Sequence, residues 1–290
     1  MQRLTLLPLA GAAESASSRQ PQEVSAGTSQ TIEVTSVSRI SQGGRWRTEA
    51  MRSYDRPVLL WFTRGQGRIT IAGRSGGYGA HSAVFLPAGT MHGFSATPTV
   101  FGSVVRIPLD DARLWPQEAA HLRIREAHLQ RELTGMIDTI EREALDEKAQ
   151  SGTALNHLAG LLAIWFSRLG DVMADNSNAK PEVSAAHRLT EAYTALIERD
   201  YRAPVGVKHF AALLGVTPTH LSRACRQVSG HPALNILTDR RHFEACRLLK
   251  DSQLPVATVA KRTGFSSPAY FTRAFRARAG ASPSEFRAGR

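Results

Sequence analysis

The chain is short of several things that would each fix a function class. It has 290 residues and two cysteines, Cys225 and Cys246. Neither stands in a metal-ligand spacing such as C-x2-C, so a zinc-knitted or disulfide-stapled scaffold is excluded as the basis of the fold. Both lie in helical stretches among apolar neighbours, which predicts buried free thiols and suits a reducing cytoplasm. No apolar run approaches the roughly 18 residues of a membrane-crossing helix, so neither a transmembrane span nor a membrane partner is expected. Met1–Ala13 imitates a secretory signal only weakly, with a single Arg before a short apolar stretch. Histidine is missing from residues 44–66. Acid is scarce at the C-terminal end: residues 181–290 hold 8 Asp and Glu against 17 Lys and Arg.

What is present gives that imbalance a meaning. Hydrophobic residues make up 42% and charged residues 21% of the chain, ordinary for a globular protein of two domains. The net charge is +11, yet residues 1–180 are nearly balanced, with 19 basic against 17 acidic side chains. The excess therefore sits on the last third, where a basic surface attracts polyanions by releasing their counterions. Of the 17 basic residues there, 14 are Arg. Arg carries a planar fork that matches phosphates and guanine edges.

Hydrophobic periodicity divides the chain into blocks. Residues 1–30, rich in Ser, Gln and Ala, are expected to be a disordered tail. Residues 31–112 read as short strands: Thr31–Ile40, Pro57–Thr63, Arg68–Ala72, Ser82–Pro87 and Thr99–Ile107, separated by Gly-containing turns. Such spacing predicts a small barrel or sandwich. Residues 113–170 change to a helical period. Leu122, Ile124, Leu129, Leu133, Met136, Ile137 and Ile140 recur at steps of three and four, and a second helix spans Thr153–Leu169. Its wide apolar face packs on the β block or against a second subunit; the homodimer is the sharper expectation. Residues 171–184 are polar and without period, hence a linker. Residues 185–290 are helical throughout. The expected fold class is multidomain β plus α.

That last block repeats itself. Ala211-x3-Gly215-x7-Arg223-x6-Gly230-x-Pro232 returns as Ala260-x3-Gly264-x8-Arg273-x6-Gly280-x2-Pro283. Each copy is a short helix, a Gly turn and a second helix opened by Thr217-Pro218 or Ser267-Pro268, a cap followed by a first-turn proline. This is the pattern of a helix-turn-helix, written twice. The expected scaffold helices are Val207–Leu214 and Val256–Thr263. The expected second helices are Thr217–Val228 and Ser267–Ala279, with Pro232–Ser252 joining the two motifs.

The string Gly264-Phe265-x2-Pro268-x-Tyr270-Phe271-x-Arg273-x-Phe275-x4-Gly280-x-Ser282-Pro283-x2-Phe286-Arg287, together with Leu214–Arg223, resembles the DNA-binding domain of the AraC/XylS family of bacterial transcription regulators. The first copy departs at Cys225, where the second has Phe275, an apolar core position. A recognition helix sets its first turns in the major groove of double-stranded DNA. Thr219, Ser222 and Arg223 in one helix, and Ala269, Thr272 and Arg273 in the other, are the expected base contacts. Each Arg is placed to hold a guanine edge, worth about 1–3 kcal/mol of discrimination. His220, Arg226, Pro268 and Arg276 are assigned to the phosphate side, which adds affinity without sequence information. Phe265, Tyr270, Phe271 and Phe275 are expected in the core. The connecting helix would hold the readers about one DNA turn apart, near 34 Å, on a bent site of about 17–20 base pairs.

The β block resembles the effector-sensing cupin domain that precedes this DNA domain in many members of the family. The resemblance lies in Arg64-Gly65-Gln66-Gly67 and in Pro87-Ala88-Gly89-Thr90-Met91-His92, a P-x-G-x2-H motif. Metal cupins need an earlier H-x-H pair and a Glu. With no histidine in residues 44–66, and with His81 ahead of its strand, no metal, no cofactor and no enzyme chemistry are expected. The barrel is then a pocket for a small-molecule effector, with Trp61, Phe85, Phe94 and Phe101 as walls. Arg64 and His92 would give its polar contacts; Arg64, His92, Phe94 and Trp61 are the assigned effector residues. An Arg favours a carboxylate, and the family layout implies an aromatic one. The resemblance also implies RNA polymerase as a partner, activation as the mode, and the cytoplasm as the location. Two other readings stay open: a constitutive DNA-binding protein whose β domain only dimerises, and a cupin enzyme tethered to DNA.

Overall fold

The computed structural model describes residues 31–42, 44–146, 149–175 and 184–289. The tail assigned to residues 1–30 and residues 176–183 of the linker lie outside the described residues. Eight strands precede most of the helices. They are β1 (Glu33–Ser36), β2 (Val58–Arg64), β3 (Gly67–Ile71), β4 (Arg74–Tyr78), β5 (Ser82–Leu86), β6 (His92–Phe94), β7 (Phe101–Arg106) and β8 (Ala120–Arg123). Among the described residues they form two antiparallel sheets, ordered β1-β7-β2-β5-β8 and β4-β3-β6, with a shared core between them; of the barrel and the sandwich that strand spacing allows, this is nearer the sandwich. The stretch Thr31–Ile40 also splits: a short helix, α1 (Val37–Ser41), follows β1, capped by the Ser36 hydroxyl.

The central strand β2 explains why its sequence is an unbroken apolar run. Val58, Leu60 and Phe62 enter the core between the sheets, with Val84, Val104 and Phe94. Leu59 and Trp61 point the other way, onto the helices α2 (Ala127–Leu145) and α3 (Ser151–Asp175). A strand buried on both faces shows no alternation. Each such side chain contributes about 1.5–3 kcal/mol of burial. Leu133, Ile137 and Ile140 of α2, with Leu155, Leu162 and Phe166 of α3, complete this outer core. Leu122 and Ile124, which the periodicity places at the start of a helix, instead lie in and just after β8. The helix α3 extends through Asp175, five residues into the expected linker.

The remaining chain folds as helices α4 (Ala185–Asp200), α5 (Val207–Leu213), α6 (Pro218–Ser229), α7 (Ala233–Asp251), α8 (Val256–Arg262), α9 (Pro268–Ala279) and α10 (Pro283–Ala288). Two cores are strung along α7. Tyr193, Ile197, Phe210, Leu221 and Cys225 fill the first. Cys246, Leu249, Val259, Phe271 and Phe275 fill the second. The β region touches both. Met51 and Met91 join the first core, and Ser75 Oγ donates to the Ser229 carbonyl at 3.0 Å. The Trp46 ring lies against Phe243 and Phe286, at 5.7 and 5.9 Å between centroids, on the second.

Candidate functional site

The helices α6 and α9 are built alike. Thr217 Oγ1 accepts from the His220 amide at 3.1 Å, and Ser267 Oγ from the Tyr270 amide at 3.4 Å. Proline opens each helix, where its missing N–H costs nothing. Gly230 and Gly280 close them in the left-handed region, with φ of 80° and 74°. Amphipathicity then sorts the side chains. Leu221, Ala224 and Cys225 face inward on α6, as Phe271 and Phe275 do on α9.

The opposite faces carry the residues assigned to DNA. Thr219, His220, Arg223, Arg226, Pro268, Ala269, Arg273 and Arg276 are exposed, and Ser222 and Thr272 are half-buried. The Thr272 hydroxyl donates to the Pro268 carbonyl at 3.0 Å, which leaves its methyl and a lone pair to face outward. Tyr270 departs from expectation. It is 53% exposed, not core, because it occupies the register of His220 on the outer side of the first turn.

The structure also divides the arginines by task. Arg240 holds Glu198 at 2.7 and 2.9 Å and stacks on Tyr201 at 3.9 Å. Burial opposes its charge, but these partners and Glu244 raise its pKa above the ordinary value. Arg241 donates to the carbonyls of Tyr201, Ala203 and Val205 at 2.7–2.9 Å. Arg287 donates to those of Leu249 and Leu254. By contrast, Arg223 and Arg273 make no hydrogen bond or ion pair among the described residues. They stand five residues into their helices, with guanidinium groups uncommitted, as a reader of base edges requires.

The four assigned effector residues do not converge. Trp61 lies on the outer face of its sheet, its indole N–H donating to Thr134 Oγ1 of α2 at 3.1 Å. Phe85 shares that face, stacked on Trp115 at 5.1 Å. Arg64 is exposed at the end of β2, 5.9 Å from the ring of Phe101, which is itself 49% exposed. Only His92 and Phe94, two apart on β6, are buried together. The aromatic walls expected of one pocket are therefore split between the two faces of a sheet.

Beside His92 and Phe94 stands a residue that sequence reasoning missed. Arg52 is wholly buried and pairs with His92 across an isolated β-bridge. Its guanidinium donates to Thr48 O at 2.6 Å and Tyr54 Oη at 3.1 Å, and lies 5.1 Å from the Phe94 ring. Among the described residues its Nη2 has no partner, and neither has Nε2 of His92. His92 Nδ1 lies 2.9 Å from the Thr90 carbonyl, an acceptor, so the proton sits on Nδ1 and Nε2 presents a bare lone pair. Burial, reinforced by Arg52, pushes the His92 pKa down to about 3. Among the described residues, no three His, Cys, Asp or Glu side chains are grouped to hold a metal.

A cleft of about 1110 Å³ separates the β region from α4. Ile69, Ile71 and Met91 form its floor, and Arg74, Glu191 and Arg199 its edges. None of the four assigned effector residues lines it.

Parts of the chain are similar to known proteins. Residues 210–289 match the family described as Helix-turn-helix domain. The arabinose operon regulatory protein of Salmonella typhimurium is 43% identical over 74 residues, 26% of this chain and 26% of that protein. This chain thus aligns with about a quarter of that relative's length. The MmsAB operon regulatory protein of Pseudomonas aeruginosa is 26% identical over 245 residues, 81% of this chain and 76% of that protein. Among solved structures, ToxT from Vibrio cholerae aligns over 89% of this chain and 97% of its own, with 13% identity and a TM-score of 0.44. With two capped helix-turn-helix units strung on one helix, residues 210–289 form a helix-turn-helix domain of the AraC family.

Proposed function

We propose that the chain is a sequence-specific transcription regulator that binds double-stranded DNA through α6 and α9. One observation carries the reading: Arg223 and Arg273 occupy the same register of two capped, exposed helices, and neither is engaged inside the protein. The basic excess of the last third supplies the sequence-independent attraction to phosphate. Recruitment of RNA polymerase to activate transcription, a homodimer formed through α3 and a cytoplasmic location complete the proposal. The homodimer draws support from Leu161 and Ile164, which α3 leaves 60% and 43% exposed.

The effector belongs to the same reading. Arg52 offers an unused N–H and His92 an unused lone pair, both buried. A hydroxylated aromatic carboxylate meets both needs, its carboxylate accepting from Arg52 and its hydroxyl donating to His92. Phe94 supplies the apolar side. The effector would shift the protein between two arrangements by its differential affinity for them.

The test compares Arg223→Ala, Arg273→Ala and the wild type on a selected operator and on random DNA. Each variant should lose about 5- to 150-fold of its preference for the operator, the equivalent of 1–3 kcal/mol, while random-sequence affinity falls far less. Equal loss on both DNAs would reduce the two arginines to phosphate contacts and end the proposal.

A further inference from the structure

The turn of the second helix-turn-helix unit closes on the segment that leads from α4 into the first. Gly264, in the turn of the second unit, has φ of +78°, and a Cβ there would strike the carbonyls of Tyr201 and Ala203. Those same carbonyls are held by Arg241 of α7. Glycine is therefore required twice over, for its backbone angle and for the close approach of the turn to that segment. Beside this joint lies a pocket of about 320 Å³, at the small end of the range for ligand sites. Leu234 and Leu237 of α7 face Phe265, Tyr270, Phe271 and Ala274 across it. The lining thus joins the connecting helix to one flank of α9, from the exposed Tyr270 to the buried Phe271 and Phe275.

The charge of the pocket is one-sided. Its ionisable lining residues are Arg241, Arg278, His242 and Tyr270, with no carboxylate among them. Arg278 is answered by Asp239, outside the lining, but Arg241 is met by carbonyl dipoles and by the Phe265 ring at 5.9 Å, with no carboxylate partner among the described residues. Apolar aromatic walls with an uncompensated cation at the joint suit a flat apolar monoanion. The walls also explain what such a ligand would do. Tyr270 and Ala274 flank Thr272 and Arg273 on α9, so a wedge against them tilts the second reader relative to the first. Two readers set about one DNA turn apart tolerate little tilt before one loses its groove.

We propose that this pocket is a second small-molecule site, distinct from the interior beside His92, which takes a one- or two-ring aromatic monocarboxylate and lowers DNA affinity when filled. DNA and ligand then oppose one another reciprocally: each weakens the other by the same factor, about 10-fold for a typical coupling between sites.

The probe is 2-naphthoate, added to the full chain, with 2-naphthamide as the uncharged control. Intermolecular NOEs from the naphthalene protons should reach the methyls of Leu234 and Leu237 in the wild-type protein. Leu234→Trp, at a position 56% exposed and so free of core strain, should cut 2-naphthoate binding at least about 10-fold. Ala274→Leu should do the same, and the amide should bind more weakly than the acid. His92→Ala should leave all of this unchanged, which separates this site from the effector reading. Saturating 2-naphthoate should weaken operator binding in the wild type and not in Leu234→Trp. NOEs confined to the β region, binding lost in His92→Ala but kept in Leu234→Trp, or operator affinity unmoved at saturation would each overturn the proposal.

Discussion

The two helix-turn-helix units share a scaffold and present the same exposed pair of arginines, Arg223 and Arg226 in one and Arg273 and Arg276 in the other, but they differ in their cores and in the first turn of the exposed face. Caps, opening prolines and closing glycines coincide position for position in α6 and α9. Behind that frame, the first unit uses the small Cys225 where the second uses Phe275. The first fills the space with Tyr193 and Phe210 from neighbouring helices, their rings 5.7 Å apart. The second builds a chain of rings, Phe271 to Phe275 at 5.7 Å and Phe275 to Phe286 at 5.3 Å. Outward, Thr219 and His220 of the first face stand where the second has Ala269 and Tyr270. The frame holds each helix at its angle, the inner faces decide how each unit is stabilised, and on the proposed function the outer faces decide what each reads.

The largest test of this contrast is in the cores. Phe275→Ala removes the centre of the ring chain and should cost about 3–5 kcal/mol in denaturant unfolding, with α9 losing amide protection first. Cys225→Ala deletes one sulfur and should cost less than half as much; equal costs would mean that the two cores are not differently built. A second test uses acid. Burial pushes the His242 pKa down to about 4, and its ring lies 5.0 Å from Phe275. The unfolded chain takes up this proton near pH 6.5 and the folded chain only near pH 4, so stability from His242 is complete above pH 6.5 and declines below it. Between pH 6.5 and 5 the loss should be about 2 kcal/mol. Hydrogen exchange should show it in α9 before α6, and His242→Gln should flatten the profile.

Reading is tested by exchange. Thr219→Ala should relax base preference only in the first box, and Ala269→Thr should alter it only in the second, each by about 1 kcal/mol, the lower end of one base contact. A change that appears in both boxes would break the assignment of one helix to one box. The smallest effect is at the caps. Thr217→Ala and Ser267→Ala should each cost about 1 kcal/mol, and a similar cost at both would mark the frames as equivalent.

The helical third is legible because its punctuation is chemical. Thr217-Pro218 and Ser267-Pro268 begin helices, Gly230 and Gly280 end them, and the observed bounds fall within a residue or two of those expected. The β region reads less well for physical reasons. β4 runs Arg-Ser-Gly-Gly-Tyr and carries no apolar alternation, and β6 has three residues. β8 is hidden because Leu122 and Ile124 also suit a helical period. Trp61 falls on the unexpected side because a strand apolar on both faces does not say which face is inner. Tyr270 passes for core because an aromatic within a periodic run looks buried until the register of the whole helix is known. Arg52 gives no signal at all: a buried cation is unexpected on grounds of solvation, and only the fold brings it to His92.

On the proposed function, one chain carries two independent DNA readers held at a fixed spacing. Selection of bound sites from random-sequence DNA, with the purified full chain at a stated salt concentration, tests it most directly. Two readers should select a motif of two boxes whose centres lie about 10 base pairs apart, with Arg223→Ala erasing one and Arg273→Ala the other. A motif with a single box, or binding without sequence preference, would contradict it.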